Sequence, residues 1–329
     1  MLEHDMAQNN MTQVGCAGIL VSDTFCGPMQ ELPREGQLLA VEAMPTKAGG
    51  CAANVAIDLV KQGLTVEVAG CLGKDSSSRG VLSSLEEYGI GSRRIVYSET
   101  LPTSKTVILL VAGQDRRYIH SFGANAGLTI GAIDREWVRH LQVFYLGGLF
   151  AMPGIQVADL LELLAFCRQH GVISVVDVVI PQNATIAKDL APLVSLVDYF
   201  LPNEDEAYYM TGCTDPQEQL RAFQQWGANT VVITRGKAGA IAARGASFWQ
   251  SGIYAVKEVV DPSGSGDAFA AGLITGIVKG WEMPDTLRYA SALGASAIRA
   301  LGTTDGVFTS AQAEEFTRAN HMEVISGTL

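Results

Sequence analysis

The sequence lacks the features of membrane, secreted and nucleic-acid-binding proteins. No apolar run in its 329 residues reaches the ~20 residues that span a bilayer. The polar opening MLEHDMAQNNMTQ has neither the basic nor the apolar part of a signal peptide. Basic residues are few, because 23 Lys and Arg face 34 Asp and Glu, and a formal net charge of −11 repels phosphate backbones and anionic lipids. We therefore expect a cytoplasmic protein that binds neither nucleic acid nor membrane.

Several catalytic signatures are also missing. The chain has no GxxxxGK[ST] loop, GxGxxG turn, GxSxG elbow or HExxH helix, which disfavours P-loop NTPases, most dinucleotide enzymes, α/β-hydrolases and zinc proteases. Its six cysteines form no CxxC pair and have no histidine at ligand spacing, so buried free thiols are expected. A small anionic ligand stays compatible with the acidic charge if backbone N–H groups, a metal ion and a few local cations hold it.

The chain does contain a regular alternation of strand and helix patterns. Short apolar runs lie at 14–20, 65–70, 143–148, 172–178, 197–202 and 230–236, with helical spacing between several of them, as at 155–170. Nearly continuous apolar strands separated by helices predict a mainly parallel sheet covered on both faces. We therefore predict an α/β fold with three αβα layers, formed by a single domain over residues 11–329.

Two segments depart from this alternation. Residues 24–48 and 93–124 are rich in turn residues and alternating strand patterns, and AGQDRR (112–117) is a candidate hairpin turn. We interpret them as a small antiparallel β-sheet inserted into the α/β body. A lid over the ligand-binding edge is the functional interpretation. A plain edge sheet, or the surface of a homodimer, is the alternative.

The segment DPSGSGDAFAAG (261–272) places two carboxylates around a glycine-rich run. Apolar spacing after Asp267 predicts a helix that begins within residues 264–267. The first N–H groups of a helix lack partners and its dipole is positive there, so an anion is favoured, and glycines let it approach closely. Asp267 would then act as a general base, with Asp261 holding a polyhydroxy substrate. The alternative is an ordinary acid at the start of a helix.

A second glycine pair opens another apolar helix in KAGGCAANVAIDLVKQG (47–63). Asn54 lies one turn into this helix after Gly49 and Gly50, where its amide can face a ligand. A solvent-facing or capping role is the alternative. Asp23 follows the first strand, where it is either a ligand-facing acid or simple turn chemistry.

Polar residues also follow two later strands. In PNEDEA, Asn203 and Glu206 are three residues apart, so both can face a cleft and hold the waters of a Mg²⁺ ion. The alternative is an N-cap with acids in the first turn. TRGKAG supplies Thr234, Gly236 and Gly239 after another strand, and a hairpin turn is its alternative.

In this order the four segments resemble the ribokinase-like carbohydrate kinases, also called the PfkB family. GGCAAN (49–54) is similar to the family's N-terminal signature, and DPSGSGDAF (261–269) is similar to its C-terminal one. NEDE (203–206) matches the NxxE motif, and TRGKAG (234–239) matches the TxGxxG loop. The resemblance covers residues 14–310, nearly the whole chain.

The resemblance implies ATP-dependent phosphorylation of a hydroxymethyl group on a small sugar. It implies that Asp267 is the general base and that the N–H groups of Gly264, Ser265 and Gly266 form an anion hole. The implied substrate ligands are Asp23, Gly49, Gly50, Asn54 and Asp261. The implied nucleotide side comprises Asn203, Glu206 (a Mg²⁺ ligand through water), Thr234, Gly236, Gly239 and, near adenine, Ser291. Some relatives bind K⁺ beside the C-terminal motif, which makes Asp261 and the turn 301–304 candidates for K⁺.

Some positions depart from the family's pattern. Val21, Cys51 and Gly147 stand where ribokinase carries polar or charged groups, and Ser265 replaces an alanine. The resemblance therefore does not point to D-ribose. The nearest alternative is a nucleoside kinase of the same fold, with Phe25 and Phe122 as a candidate base slot. A non-catalytic protein that senses sugar or nucleotide is the alternative from another class.

Overall fold

The fold contains two β-sheets, one of ten strands and one of four. The structure is a computed structural model that describes residues 12–114, 116–181 and 189–329. Its strands are β1 (Val14–Gly18), β2 (Val21–Met29), β3 (Thr46–Gly49), β4 (Val66–Gly73), β5 (Gly91–Ser98), β6 (Lys105–Val111), β7 (Arg117–Ser121), β8 (Val143–Leu149), β9 (Ile173–Val178), β10 (Tyr199–Leu201), β11 (Thr230–Thr234), β12 (Ala240–Arg244), β13 (Ser247–Ser251) and β14 (Val324–Thr328). Its α-helices are α1 (Cys51–Lys61), α2 (Ser76–Glu87), α3 (Arg135–Val138), α4 (Val157–Gln169), α5 (Ala191–Val194), α6 (Glu204–Thr211), α7 (Pro216–Gln225), α8 (Ser265–Lys279), α9 (Met283–Ala297) and α10 (Ser310–Ala319).

The large sheet has the order β14-β13-β12-β11-β10-β9-β8-β1-β4-β5. From β5 to β11 every neighbouring pair is parallel, while β12, β13 and β14 add antiparallel strands at one edge. Every residue of β1, β4 and β8 is buried, as expected for central strands covered by helices on both faces. The predicted αβα fold with a mainly parallel sheet is confirmed.

The small sheet has the order β3-β2-β6-β7. Its outer pairs, β2–β3 and β6–β7, are antiparallel. The β6–β7 pair is the one expected on either side of the candidate hairpin turn at 112–117, in which Asp115 lies outside the described residues. The central β2–β6 pair is parallel, so the prediction of a wholly antiparallel sheet was wrong there. A parallel pair arises because β6 follows β2 only after a long excursion through the body of the protein.

The second predicted insertion begins too early in the chain. Residues 93–98 belong to β5, which pairs in parallel with β4 at the edge of the large sheet. Ile95 is buried while most of its strand neighbours are at least partly exposed. This one-sided burial gives an edge strand the same alternating sequence pattern as an inserted antiparallel strand. The small sheet therefore consists of 21–29, 46–49, 105–111 and 117–121.

Two helices bring the glycine-rich motifs together. Helix α1 starts directly after β3, and α8 starts at Ser265, as the apolar spacing after Asp267 predicts. The apolar face of α8 is buried, including Phe269, Leu273 and Ile274, and α8 packs against α1. Among the described residues, no helix combines the length and apolar character needed to cross a membrane.

Candidate active site

The start of α8 exposes backbone amides in a turn that only glycine fits. Gly264 is the N-cap residue, with φ of 77°, and none of the described side chains caps this helix. A Cβ at Gly264 would lie 2.0 Å from the carbonyl oxygen of Thr303. The start of α8 therefore packs tightly against residues 301–305, here called the 301–305 turn. The first amides of the helix stay available to an anion.

Asp267 lies in the first turn of α8 and is held by α1. Asn54 Nδ2 donates to Asp267 Oδ2 at 2.7 Å, and Thr303 Oγ1 donates to Asn54 Oδ1 at 2.8 Å. The amide of Asn54 is thus oriented by both contacts, and it does not cap its helix, whose N-cap is Gly50. Burial raises the pKa of Asp267, while hydrogen bonding by Asn54 and Cys51 opposes the rise.

Asp23 and the glycine pair form the side of the site next to Asp267. A Cβ at Gly49 would lie 1.8 Å from Asp23 Oδ2, and a Cβ at Gly50 would lie 2.4 Å from the carbonyl oxygen of Ile19. Asp23 is buried, and this burial raises its pKa to about 6, with a smaller contribution from the charge of Asp267. The sequence motifs around residues 23, 50 and 267 therefore meet at one place.

The position of Asp261 differs from the expected one. Its side chain is fully buried, and its two oxygens accept from the backbone N–H groups of Ser263 (2.9 Å) and Gly302 (3.1 Å). Asp261 therefore joins the turn before α8 to the 301–305 turn and does not face the pocket as a sugar ligand. Its adjacency to residues 301–304 agrees with the sequence expectation, and the K⁺ role stays a prediction.

Asn203 and Glu206 form a capping box at the start of α6. Asn203 Oδ1 accepts from the N–H of Glu206, and Glu206 Oε2 accepts from the N–H of Asn203, both at 2.8 Å. The capping alternative from the sequence is thus confirmed, and each side chain keeps further polar atoms for other partners. Burial raises the pKa of Glu206 to about 7.

The TRGKAG segment lies next to this capping box. A β-bridge pairs Thr234 with Asn203, which brings the ends of β10 and β11 together. Gly236 and Gly239 both have positive φ in the turn between β11 and β12, so the hairpin alternative is also confirmed.

Ser291 lies in α9 and is partly buried. The segment before Asp261 exposes the apolar side chains Ile253, Val259 and Val260.

Sequence reasoning missed a second acid beside Asp267. Ligand atoms of Cys51, Asp177 and Asp267 all lie within 4.8 Å of one another. Tyr145 donates its hydroxyl to Asp177 Oδ2 at 3.0 Å. Burial raises the pKa of Asp177, and repulsion from Glu206 and Asp267 adds to the rise. The available signal was a lone charged residue near the end of the apolar run VISVVDV (172–178).

The candidate base slot of the nucleoside alternative does not form as expected. Phe25 is completely buried in the small sheet, whereas Phe122 is 38% exposed. Phe122 instead contacts the ring of His120 edge-on, with centroids 5.0 Å apart. Phe25 therefore packs in the core and cannot stack on a ligand.

Comparison with known proteins places the chain among sugar kinases. A family model described as pfkB family carbohydrate kinase matches residues 11–309. The chain is 27% identical over 299 residues to 2-dehydro-3-deoxygluconokinase of Bacillus subtilis (86% of this chain, 90% of the relative). It is 25% identical over 291 residues to the ribokinase of Haemophilus influenzae (86% and 91%).

Solved structures agree on the fold. Arabidopsis thaliana ribokinase complexed with ribose and ATP superposes with a TM-score of 0.79 at 22% identity, covering 93% of this chain and 98% of the other. An E. coli structure in complex with ATP and Mg²⁺ gives 0.79 at 19% identity, covering 94% of this chain and 100% of the other. The chain therefore belongs to the pfkB family of carbohydrate kinases, whose members are ATP-dependent sugar kinases.

Proposed function

We propose that the protein transfers the γ-phosphoryl group of ATP to a hydroxymethyl group of a small sugar, with Asp267 as the general base. The observation that carries the proposal is the arrangement at the start of α8. A carboxylate oriented by Asn54 stands one turn from helix amides that the described side chains leave uncapped. Membership of the pfkB family supports the same reaction.

Asp267 and the amides of residues 264–266 divide the chemistry between them. Phosphoryl transfer needs in-line positioning and stabilisation of charge on the transferred group more than covalent help. Asp267 takes the proton of the sugar hydroxyl as that oxygen attacks the γ-phosphorus, while the bond from this phosphorus to the β–γ bridging oxygen breaks and ADP leaves. The N–H groups at the helix start face the charge that develops on the phosphoryl oxygens.

Asp23, Gly49, Gly50 and Asn54 would hold the other sugar hydroxyls. Asp23 is ionised at neutral pH, because its pKa is about 6, and a carboxylate accepts hydrogen bonds from hydroxyl groups. The absence of a Cβ at Gly49 lets the Asp23 carboxylate pack directly against the backbone, and its absence at Gly50 avoids the Ile19 carbonyl oxygen. Small residues and one acceptor suit a polyhydroxylated substrate that approaches the backbone closely.

The side chains near Asp267 fit the Mg²⁺ ion that the fold family implies. Asp177 and Glu206 present oxygen ligands, and their mutual repulsion contributes to the raised pKa of Asp177. A hard divalent cation prefers such oxygen ligands, often through its waters. Asp177 and Glu206 would hold the ion, with Asn203 beside Glu206. When bound, Mg²⁺ would offset the negative charge of the phosphates.

The nucleotide would lie along the end of β11. Thr234, Gly236 and Gly239 would border the phosphates, because the Asn203–Thr234 bridge places this turn beside the proposed Mg²⁺ ligands. Adenine would pack between the exposed apolar segment 253–260 and α9, where Ser291 lies. The small sheet would act as a lid that excludes water. K⁺ dependence and a homodimer through this sheet stay predictions.

A panel of phosphoryl acceptors tests the proposal. Purified protein is incubated with ATP, Mg²⁺ and single acceptors: neutral sugars, dehydro-deoxy sugar acids and nucleosides. Products are identified by mass spectrometry, with Asp267→Asn as the inactive control. Turnover of a sugar is expected. Turnover of nucleosides alone would favour the nucleoside alternative, and calorimetric binding without any turnover would favour the sensing protein.

A further inference from the structure

Lys47 connects the small sheet to the turn beside the catalytic helix. It lies on β3, directly opposite Asp23 of β2 in the antiparallel register. Its Nζ donates to the carbonyl oxygen of Leu301 at 2.9 Å and to Asp305 Oδ1 at 2.7 Å. The strand pair that carries Asp23 is thus attached to both ends of the 301–305 turn.

The turn is shaped to receive this lysine. Gly302 has φ of +114°, and a Cβ there would lie 2.9 Å from Lys47 Nζ and 3.0 Å from Lys47 Cδ. A side chain at position 302 would therefore displace the lysine stem. On the other side of the turn, Lys61 of α1 donates to the carbonyl oxygen of Thr304. Two lysines from different elements thus fix the backbone of one short turn.

The same turn contacts three residues around the start of α8, namely Asp261, Asn54 and Gly264. The N–H of Gly302 donates to Asp261 at 3.1 Å, and Thr303 Oγ1 donates to Asn54 at 2.8 Å. The carbonyl oxygen of Thr303 lies against Gly264, and Asn54 donates to Asp267. A continuous series of contacts therefore leads from the strand of Lys47, through the turn, to the general base.

We propose that Lys47 is a positioning residue that couples the small sheet to Asp267 through the 301–305 turn. This inference rests on the proposed function, since it takes Asp267 to be the general base. When β3 lies in the position seen here, the lysine holds the turn so that Thr303 orients the Asn54 amide. Displacement of β3 releases the turn, so the base is correctly oriented only while the small sheet covers the site.

The Lys47–Asp305 ion pair alone does not explain this role. Both side chains are partly exposed, at 30% and 45%, and an exposed ion pair contributes little to stability. The bond to the Leu301 carbonyl and the packing on Gly302 fix the position of the turn itself. Removing the ammonium group should therefore change turnover far more than it changes the free energy of unfolding.

Steady-state kinetics of Lys47→Met test the inference. Methionine keeps an unbranched stem for Gly302 but removes the donor group. We expect kcat to fall roughly tenfold, the equivalent of one hydrogen bond to a fixed partner, with the KM for ATP within about twofold of wild type. Lys47→Arg keeps a donor and a charge, so it should recover most of the lost turnover. Lys105→Met, which removes another lysine of the small sheet, should match wild type.

Each outcome distinguishes this inference from the proposed function. If wild type phosphorylates an acceptor and Lys47→Met has an unchanged kcat, the coupling role is wrong while the kinase assignment stands. A fall in kcat that Lys47→Arg does not recover, accompanied by a lower melting temperature, would reduce Lys47 to a stabilising residue. If wild type turns over none of the acceptors, the proposed function fails first, and the role of Lys47 fails with it.

Discussion

Two helices that border the site begin in opposite ways. Helix α6 begins with a complete capping box, in which Asn203 and Glu206 satisfy each other's backbone N–H groups. Helix α8 begins at Gly264, and none of the described side chains caps it. Both helices carry acids in the first turn, Glu206 in α6 and Asp267 in α8.

The difference separates a start that stabilises the fold from one that can bind a ligand. An N-cap side chain contributes about 1 kcal/mol by satisfying free amides. Leaving those amides uncapped forgoes this stabilisation but keeps the positive end of the dipole available. The two first-turn acids differ accordingly: Glu206 bonds its own helix start, whereas Asp267 is held by Asn54 from a different helix.

Exchange of the first-turn acids for amides should give the largest contrast. Asp267→Asn removes the proposed base, and we expect kcat to fall by about 10³-fold, since general-base catalysis typically contributes 10²–10⁴-fold. Phosphorylated product is quantified by mass spectrometry at saturating ATP and acceptor.

The matched control is Asp205→Asn, which changes an exposed acid in the first turn of α6. This variant should keep wild-type turnover. Equal activity in Asp267→Asn and Asp205→Asn would mean that Asp267 is not the base.

Two glycines with nearly identical backbone angles allow a second contrast. Gly264→Ala should lower kcat by roughly 10²-fold, because the new Cβ would lie 2.0 Å from the Thr303 carbonyl and would displace the start of α8. Gly212→Ala changes the left-handed residue at the end of α6, where no described atom lies within 4 Å of the added Cβ. It should cost only about 1 kcal/mol of stability, from the positive φ.

Turnover and thermal melts of both variants separate the two effects. If Gly264→Ala loses no more activity than Gly212→Ala, the tight start of α8 does not contribute to catalysis.

Most of the fold could be predicted from the sequence, because local patterns indicate its strands and helices. Continuous apolar runs such as 143–148 mark buried parallel strands, and the glycine at 264 before an apolar helix marks an uncapped start. Residues 93–98 lie in the large sheet, although their pattern predicts the inserted sheet, because an edge strand and an inserted strand share one alternating pattern. Pairing partners far apart in sequence decide between them, and a local pattern does not contain that information.

Parts of the site depend on contacts across the whole chain and could not be predicted. Asp177, on β9, has a ligand atom within 4.8 Å of one of Asp267, although 90 residues separate the two in the chain. Asp261 appeared to be a ligand from its motif, yet the amides of Ser263 and Gly302 occupy its oxygens. Lys47 carries no motif signal at all, since its role depends on a turn 254 residues later.

Acid should lower the activity through carboxyl groups at both helix starts and at Asp23. Burial raises the pKa of Glu206 to about 7 and that of Asp23 to about 6, and it raises the pKa of Asp267 as well. In the proposed reaction each group acts in its deprotonated form, and protonation increases as the pH falls. We therefore expect kcat/KM to fall as pH decreases from 8 to 5.5, by about tenfold per pH unit where one protonation dominates.

The variant Glu206→Gln tests whether Glu206 causes the decline of kcat/KM around pH 7. Glutamine cannot ionise but can still accept from the Asn203 N–H, so the cap of α6 should persist. The variant should have a lower plateau and should lose the decline around pH 7, while the decline around pH 6 remains. A profile with an unchanged decline around pH 7 would mean that this decline does not belong to Glu206.

The smallest expected effect is the loss of stability when the cap of α6 is removed. Asn203→Ala removes the side-chain oxygen that accepts from the backbone N–H of Glu206. This loss should lower the free energy of unfolding by about 1 kcal/mol and the melting temperature by roughly 2 °C. Asn203→Asp keeps an acceptor and should melt close to wild type. The same pair separates capping from the proposed Mg²⁺ role, because a cap alone leaves the Mg²⁺ dependence of turnover unchanged. A rise in the Mg²⁺ concentration for half-maximal activity of Asn203→Ala, with Asn203→Asp near wild type, would show that Asn203 serves the ion as well as the helix.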